Sequence, residues 1–357
     1  MGSLGTRKFA ALLSNQSCET LYRGTLSIRR AKARILRLIF GILFGVATIV
    51  WCPWAALAEH LAVTAVPSGT WTKEPGVRID IGTPQSLDSH RASTPHVIRS
   101  PRGMLRMYYA GDAGILSAVS IDGLTWMKEP GIRVSRGLLA YVAHPFVLPM
   151  PGAGLRMYYE CADGVFFEVC SAASANGLQW VPEPGIRLAH RPAGAPDSRM
   201  ATDPLVVEIP GGYRMYYHAF DNKTSRILSA VSADGHQWVK EQGARIDAGP
   251  PGSSDQLGAS HFYILQLPGG RLLMYYAGGK RVDFGDSILS ATSTDGLVWT
   301  KEPGTRVALG SPGSFDDTAV LEPSILQLPD GRFRMYYVGF QRGTPRILSA
   351  VADRVAR

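Results

Sequence analysis

The stretch Ile227–Trp238 reads ILSAVSADGHQW, and near copies of it organise the chain. They are ILSAVSIDGLTW at Ile115–Trp126, ILSATSTDGLVW at Ile288–Trp299, and a worn version, EVCSAASANGLQW, ending at Trp180. A last copy opens at Ile347 and stops before any tryptophan. Conversely, the segment SGTWTKEPGVRID at Ser68–Asp80 carries a tryptophan with no copy before it. RMYY or a near match recurs at Arg106–Tyr109, Arg156–Tyr159, Arg214–Tyr217, Leu273–Tyr276 and Arg334–Tyr337. The tryptophans at 71, 126, 180, 238 and 299 therefore mark a repeat of about 54 to 61 residues, the signature of a solenoid, propeller or array.

Each unit reads as four strands. An apolar run such as PLVVEI (Pro204–Ile209) leads through a Pro/Gly turn into YRMYY, rich in β-favouring aromatics. ILSAVS follows, then an Asp-Gly or Asn-Gly turn, a strong hairpin signal, and last the tryptophan strand. Sustained helical periodicity is missing from Leu61 to Arg357. These features predict an all-β, five-bladed β-propeller with four-stranded antiparallel blades. The last blade is closed by the N-terminal tryptophan strand, which removes two exposed sheet edges.

Charge separates leader from fold. The net charge is +8, but residues 1–58 hold eight Lys/Arg against the single acid Glu19, leaving 29 basic and 28 acidic residues beyond Ala58. The basicity is not a nucleic-acid surface, and no basic-aromatic stripe supports one. RRAKARILR, the apolar run LIFGILFGVATIVW and ALA at Ala56–Ala58 have the layout of a secretory signal peptide with a long basic n-region. An uncleaved membrane anchor is the rival, and contact with a membrane is expected only through it. The expected organisation is a leader over 1–58 and one propeller over 59–357, secreted or periplasmic. Cys161 and Cys170 flank a turn-like ADG, positions that allow a disulfide in an oxidising compartment or two free thiols.

The repeat also separates scaffold from site. A residue recurring in every unit serves the unit, so Asp122, Asp234 and Asp295 read as turn residues. The start of the first strand behaves differently: STPHVI, AHPFVL, TDPLVV, SHFYIL and LEPSIL present Thr94, His144, Asp203, His261 and Glu322 at one equivalent position. In a propeller these converge on the central funnel, either as a binding pocket or as caps of the channel. Seven residues before the following position stand Asp88, Asp197, Asp255 and Asp316, with Leu138 in the second unit. That recurrence favours a loop-fixing role. Zinc-type spacing is lacking, so no metal ligand or cofactor is assigned, and a single ion on the channel axis near His144 and His261 is the modest form.

GSFDDTAVLEPSILQLPDGRFRMYYVGF (Gly313–Phe340), with the S-x-D-G-x-x-W hairpins, resembles the five-bladed propeller glycosidases of glycoside hydrolase families 43, 32 and 130. The likeness runs from about Ser68 to Arg357. The hairpins also resemble the sialidase Asp box, one residue shorter between Asp and Gly. The resemblance implies paired-carboxylate hydrolysis of a glycosidic bond, with Glu322 as acid and Asp203 as base or pKa-tuning carboxylate. The chain departs from these families where they carry a first-blade acid, because Thr94 stands there; Asp88 is the best substitute, with Arg91 close by. Arg199 is expected to bind hydroxyls or an anionic group, and Tyr141 and Tyr263 to offer aromatic platforms. A non-catalytic carbohydrate-binding or interaction propeller is the alternative.

Overall fold

The computed structural model describes residues 62–100, 103–150, 154–279 and 285–355, and the leader over 1–58 lies outside them. Among the described residues there is no helix; strands and turns make up the fold. The short β1 (Thr72–Lys73) comes first. It is followed by β2 (Ser93–Arg99), β3 (Leu105–Gly111), β4 (Gly114–Ser120) and β5 (Met127–Lys128), with β6 (Val134–Ser135) added against β4. The same succession recurs as β7 (Tyr141–Met150), β8 (Gly154–Ala162), β9 (Phe167–Ser174) and β10 (Val181–Pro182). Then come β11 (Met200–Ile209), β12 (Gly212–Phe220), β13 (Ser225–Ser232) and β14 (Val239–Lys240). β15 (Ala259–Gln266), β16 (Leu272–Gly278), β17 (Ser287–Ser293) and β18 (Thr300–Lys301) repeat it again, with β19 (Val307–Ala308) beside β17. Last are β20 (Ala319–Gln327), β21 (Phe333–Gln341) and β22 (Thr344–Ala352). Pairing within each succession is antiparallel, and a parallel bridge from Met200 to Phe167 links β11 with β9.

The missing end is supplied from the start of the chain. β1 pairs with β22, Thr72 opposite Val351 and Lys73 opposite Ala350. Glu74, just beyond, takes Nε and Nη2 of Arg334 at 2.8 and 2.9 Å and the Ser349 hydroxyl at 2.7 Å. Glu129 makes the same three bonds to Arg106 and Ser117, as does Glu241 to Arg214 and Ser229. A segment at the beginning of the sequence thus satisfies groups at its end as its equivalents do locally.

Tyrosine and tryptophan stitch the successions together. Tyr108, Tyr158, Tyr216 and Tyr336 donate their hydroxyls to the carbonyls of Gly177, Gly235, Gly296 and Gly123, each in a neighbouring hairpin, at 2.8 to 2.9 Å. Each ring also meets the tryptophan of that hairpin edge-on, and Tyr275 meets Trp71 likewise, with centroids 5.5 to 5.9 Å apart. The hairpin is held by its own side chains. Oδ1 of Asp234 accepts the N–H groups of His236 and Gln237 at 2.8 and 2.9 Å, and Gly235 has φ of 73°, which favours glycine. The first strands touch in sequence: β2 packs on β7, β7 on β11, β11 on β15, β15 on β20, and β20 on β2 again.

Candidate functional site

The five equivalent positions have one backbone peculiarity. Thr94, His144, Asp203, His261 and Glu322 all lie in the left-handed region, with φ of 51°, 48°, 54°, 41° and 58°. Side chains other than glycine occupy it at a cost of about 1–2 kcal/mol each. Each sits at a register shift of its first strand, for example between Thr202 and Leu205 in β11. A bulge of this kind bends the strand and re-aims a side chain. Proline follows four of the five and has no N–H to leave unpaired at the bulge. Strain repeated at one register, with unlike polar side chains, marks these five positions as a candidate site.

These residues form one network. The Thr94 N–H donates to Oε2 of Glu322 at 2.5 Å, and the His144 N–H donates to Oγ1 of Thr94 at 3.2 Å. Nε2 of His144 stands 3.8 Å from Oε1 of Glu322, while Nδ1 of His261 stands 3.3 Å from Oδ2 of Asp203. The two imidazoles stack with centroids 5.2 Å apart and planes 16° from parallel. Beneath lies a cavity of about 30 Å³ bordered by Thr94, His144, Asp203, Glu322 and their prolines, with room for a water molecule.

The charges divide within this group. Burial pushes the Glu322 carboxyl above its ordinary range, and the nearby His144 and His261 only partly oppose it. Burial also acts on Asp203, but His144 and a contact with His261 outweigh it and hold that carboxyl below its ordinary range. Burial disfavours a charged His144, yet Asp203 and Glu160 raise it to about 10. One buried carboxyl thus tends to keep its proton while its neighbour tends to lose it.

Two members were not foreseen from the sequence. Glu160 on β8, 1% exposed, holds Nδ1 of His144 at 3.1 Å and accepts the Thr202 hydroxyl. His218 on β12 lies 5.5 Å from the His261 ring, and burial together with His261 lowers it to about 3. Both follow the MYY-type motif, where the units read Ala110, Glu160, His218, Ala277 and Val338. That variation beside constant neighbours was the available signal.

The other expected residues are dispersed. The Arg91 guanidinium lies 4.1 Å from the Tyr141 ring centroid and donates to the Gly111 carbonyl at 2.7 Å. Burial, with the fields of Glu160 and Glu322, pushes the Tyr141 phenol up, so Tyr141 and Arg91 flank the carboxylates. Tyr263 is 2% exposed and borders the small cavity from within, so it offers no platform to a sugar arriving from solvent. Arg199 lines a separate cavity of about 450 Å³ that reaches His218 and His261.

Asp88 does not join the group. It is bound by Nζ of Lys128 at 2.6 Å and the Tyr109 hydroxyl at 2.9 Å. Asp197, Asp255 and Asp316 are held the same way by Lys240 and Tyr217, Lys301 and Tyr276, and Lys73 and Tyr337. In the second unit Leu138 replaces the aspartate and Pro182 the lysine, so acid and partner are absent together. Cys161, beside Glu160, is disulfide-bonded to Cys170.

His144, His261 and Glu322 offer donor atoms within 4.8 Å of one another, close enough to share one cation. A ligating imidazole must be neutral, so an ion there would first displace the His144 proton.

Comparison with family models finds no match, and neither does comparison with curated protein sequences. Solved structures do match. A glycoside hydrolase is 17% identical with a TM-score of 0.65, covering 80% of this chain and 94% of its own. A thermostable family-43 glycoside hydrolase is 16% identical with a TM-score of 0.61, covering 78% and 93%. An endo-arabinase from Bacteroides thetaiotaomicron is 19% identical with a TM-score of 0.56, covering 79% and 99%. At these identities the likeness is one of fold.

Proposed function

We propose that the chain is an exported glycosidase-like hydrolase built as a five-bladed propeller, cleaving a glycosidic bond with Glu322 as general acid and Asp203 as general base or nucleophile. The propeller reading is supported by the cyclic contacts of β2, β7, β11, β15 and β20 and by the pairing of β1 with β22. The hydrolase-like neighbours support a carbohydrate as ligand. Export is supported by the leader and by the Cys161–Cys170 bond, which suits an oxidising compartment.

One observation carries the chemistry. Asp203 and Glu322 occupy equivalent strained bulges, and their environments push the two carboxyls in opposite directions. Glycoside hydrolysis needs that division: a protonated acid for the leaving oxygen and an ionised carboxylate for water or the anomeric carbon. The His144 imidazolium, 3.8 Å from Glu322 and held on its other side by Glu160, moderates charge as the Glu322 proton leaves. Thr94 donates its N–H to the same carboxylate and thereby fixes its orientation. A carbohydrate-binding propeller without turnover is the second reading, favoured by Thr94 standing where the related families place a third acid.

The test is hydrolysis of aryl glycosides and of plant, fungal and bacterial glycans by the wild type, Glu322→Gln and Asp203→Asn. Turnover lost in both variants supports the proposal. No turnover on any substrate, or turnover indifferent to both changes, supports the binding reading.

A further inference from the structure

The 450 Å³ cavity beside the carboxylates has a chemical bias that the hydrolytic reading does not use. It is bordered by Arg199, Lys223, His218, His261, Phe167 and Phe220, and among the described residues that line it there is no carboxylate side chain. Arg199 and Lys223 form no ion pair or side-chain hydrogen bond among the described residues. Among the described residues the acids nearby bond other groups, although the Phe166 and Val165 N–H groups, helped by the Arg199 charge, lower the Asp163 carboxyl. Asp221 pairs with Arg226 at 3.0 Å, and Asp163, at the surface, accepts the N–H groups of Val165 and Phe166 at 2.7 and 2.8 Å. The Arg199 guanidinium lies 5.9 Å from the ring centroids of both Phe166 and Phe167.

A second observation points to a ligand. His218 is 5% exposed, its Nε2 meets the Ser225 hydroxyl at 3.0 Å, and its Nδ1 has no partner. Burial holds this ring neutral near pH 7, so it adds hydrogen-bonding capacity without positive charge. An unpaired guanidinium and ammonium beside a buried, unsatisfied imidazole make a place for an anion that also carries hydroxyls. The guanidinium fork matches a carboxylate in two parallel bonds. The volume falls within the range of small-molecule sites, about 300–1,000 Å³. His261 also borders the cavity and stands 3.3 Å from Asp203, so the cavity that holds Arg199 and Lys223 reaches a side chain in contact with that carboxylate.

We infer that this cavity is a subsite for an acidic sugar, the carboxylate of a uronic acid unit pairing with Arg199 and Lys223. The inference rests on the glycoside reading of the site and names the substrate class.

Calorimetric binding of galacturonate and glucuronate, their neutral counterparts galactose and glucose, and inorganic phosphate tests it without requiring turnover. The proteins are the full chain, Arg199→Gln, Lys223→Gln and Glu322→Gln, each checked for an unchanged melting temperature. The expected result is at least tenfold tighter binding of a uronate than of its neutral counterpart. That preference is reduced in Arg199→Gln and in Lys223→Gln, weakened by salt, and retained in Glu322→Gln. Equal binding of acidic and neutral sugars, no uronate binding, or a preference indifferent to Arg199 and Lys223 overturns it. Phosphate binding at Arg199 with no uronate binding overturns it in favour of a phosphate site. Turnover of neutral glycosides that needs Glu322, without a uronate preference, would defeat this inference and leave the hydrolase reading standing. A uronate preference with no turnover would do the reverse.

Discussion

The backbone N–H of Thr94 lies 2.5 Å from Oε2 of Glu322, a bond between residues 228 positions apart in the chain. Both residues sit in left-handed bulges, one on β2 and the other on β20, and Val97 on β2 adds a bond to the Ser324 hydroxyl at 3.2 Å. The contact that orients the proposed acid therefore also joins the first full succession of strands to the last. Site geometry and the contact between β2 and β20 are coupled at this seam.

Glu322→Gln separates the two roles. The amide oxygen still accepts the Thr94 N–H, so the fold is retained, while the proton donor is gone. Hydrolysis of a natural glycoside should fall by about 10²–10⁴, the range of general acid–base catalysis. A melting temperature within a few degrees of wild type, measured alongside, assigns the loss to chemistry.

The opposed shifts predict a bell-shaped dependence of kcat/KM on pH. Asp203 must be ionised and its carboxyl is held low, so the acid limb should lie below the ordinary carboxylate range. Glu322 must be protonated and is pushed up, so the alkaline limb should lie above that range. A flat profile, or an alkaline limb unmoved by Glu322→Gln in its residual activity, would contradict the assignment.

Stability should be greatest near the ordinary histidine value. In the folded chain His144 is raised from 6.5 to about 10, so its contribution is fully present below about 6.5 and is lost as pH rises through about 10. His218 is lowered from 6.5 to about 3, so its contribution is present above about 6.5 and is lost as pH falls toward about 3. Melting temperature against pH, in wild type, His144→Gln and His218→Gln, should show each variant flattening its own limb.

Asp88→Asn should behave as a scaffold change. It removes the partner of Lys128 and an acceptor of the Tyr109 hydroxyl, a loss of about 1–3 kcal/mol, with kcat nearly unaltered. Denaturant unfolding and steady-state kinetics on the same preparation check both halves. A collapse of kcat at unchanged stability would move Asp88 into the chemistry.

Trp71 should matter as much as the tryptophans inside the chain. It meets Tyr275 edge-on at 5.5 Å, as Trp180 meets Tyr108 at 5.7 Å. Trp71→Ala and Trp180→Ala are expected to cost about 3–5 kcal/mol each in denaturant unfolding. A negligible effect at Trp71 would mean that the N-terminal strand does not lock the fold.

Much of this was legible because the sequence repeats. Trp71 without an ILSA strand before it, and Ile347 without a tryptophan after it, foretold the pairing of β1 with β22. The same comparison singled out Thr94, His144, Asp203, His261 and Glu322, since a position that serves the strand keeps one residue type and these five differ. It could not foretell that all five are left-handed, because that depends on a bulge rather than on side-chain type. Glu160 and His218 were hidden by their place beside the MYY-type motif, whose constancy draws the eye to the core. Asp88 stood out as an acid in the right region, but its lysine lies on a strand about forty residues later, and only folding makes that pair visible.

The most direct test of the central claim is the leaving-group dependence of Glu322→Gln. kcat/KM would be compared with wild type for glycosides of one sugar bearing a poor alkyl and a good nitrophenyl leaving group. Since a good leaving group departs without a proton, the account predicts a loss of about 10²–10⁴ on the alkyl glycoside and a far smaller one on the nitrophenyl glycoside. Equal losses on both, or activity indifferent to Glu322, would contradict it.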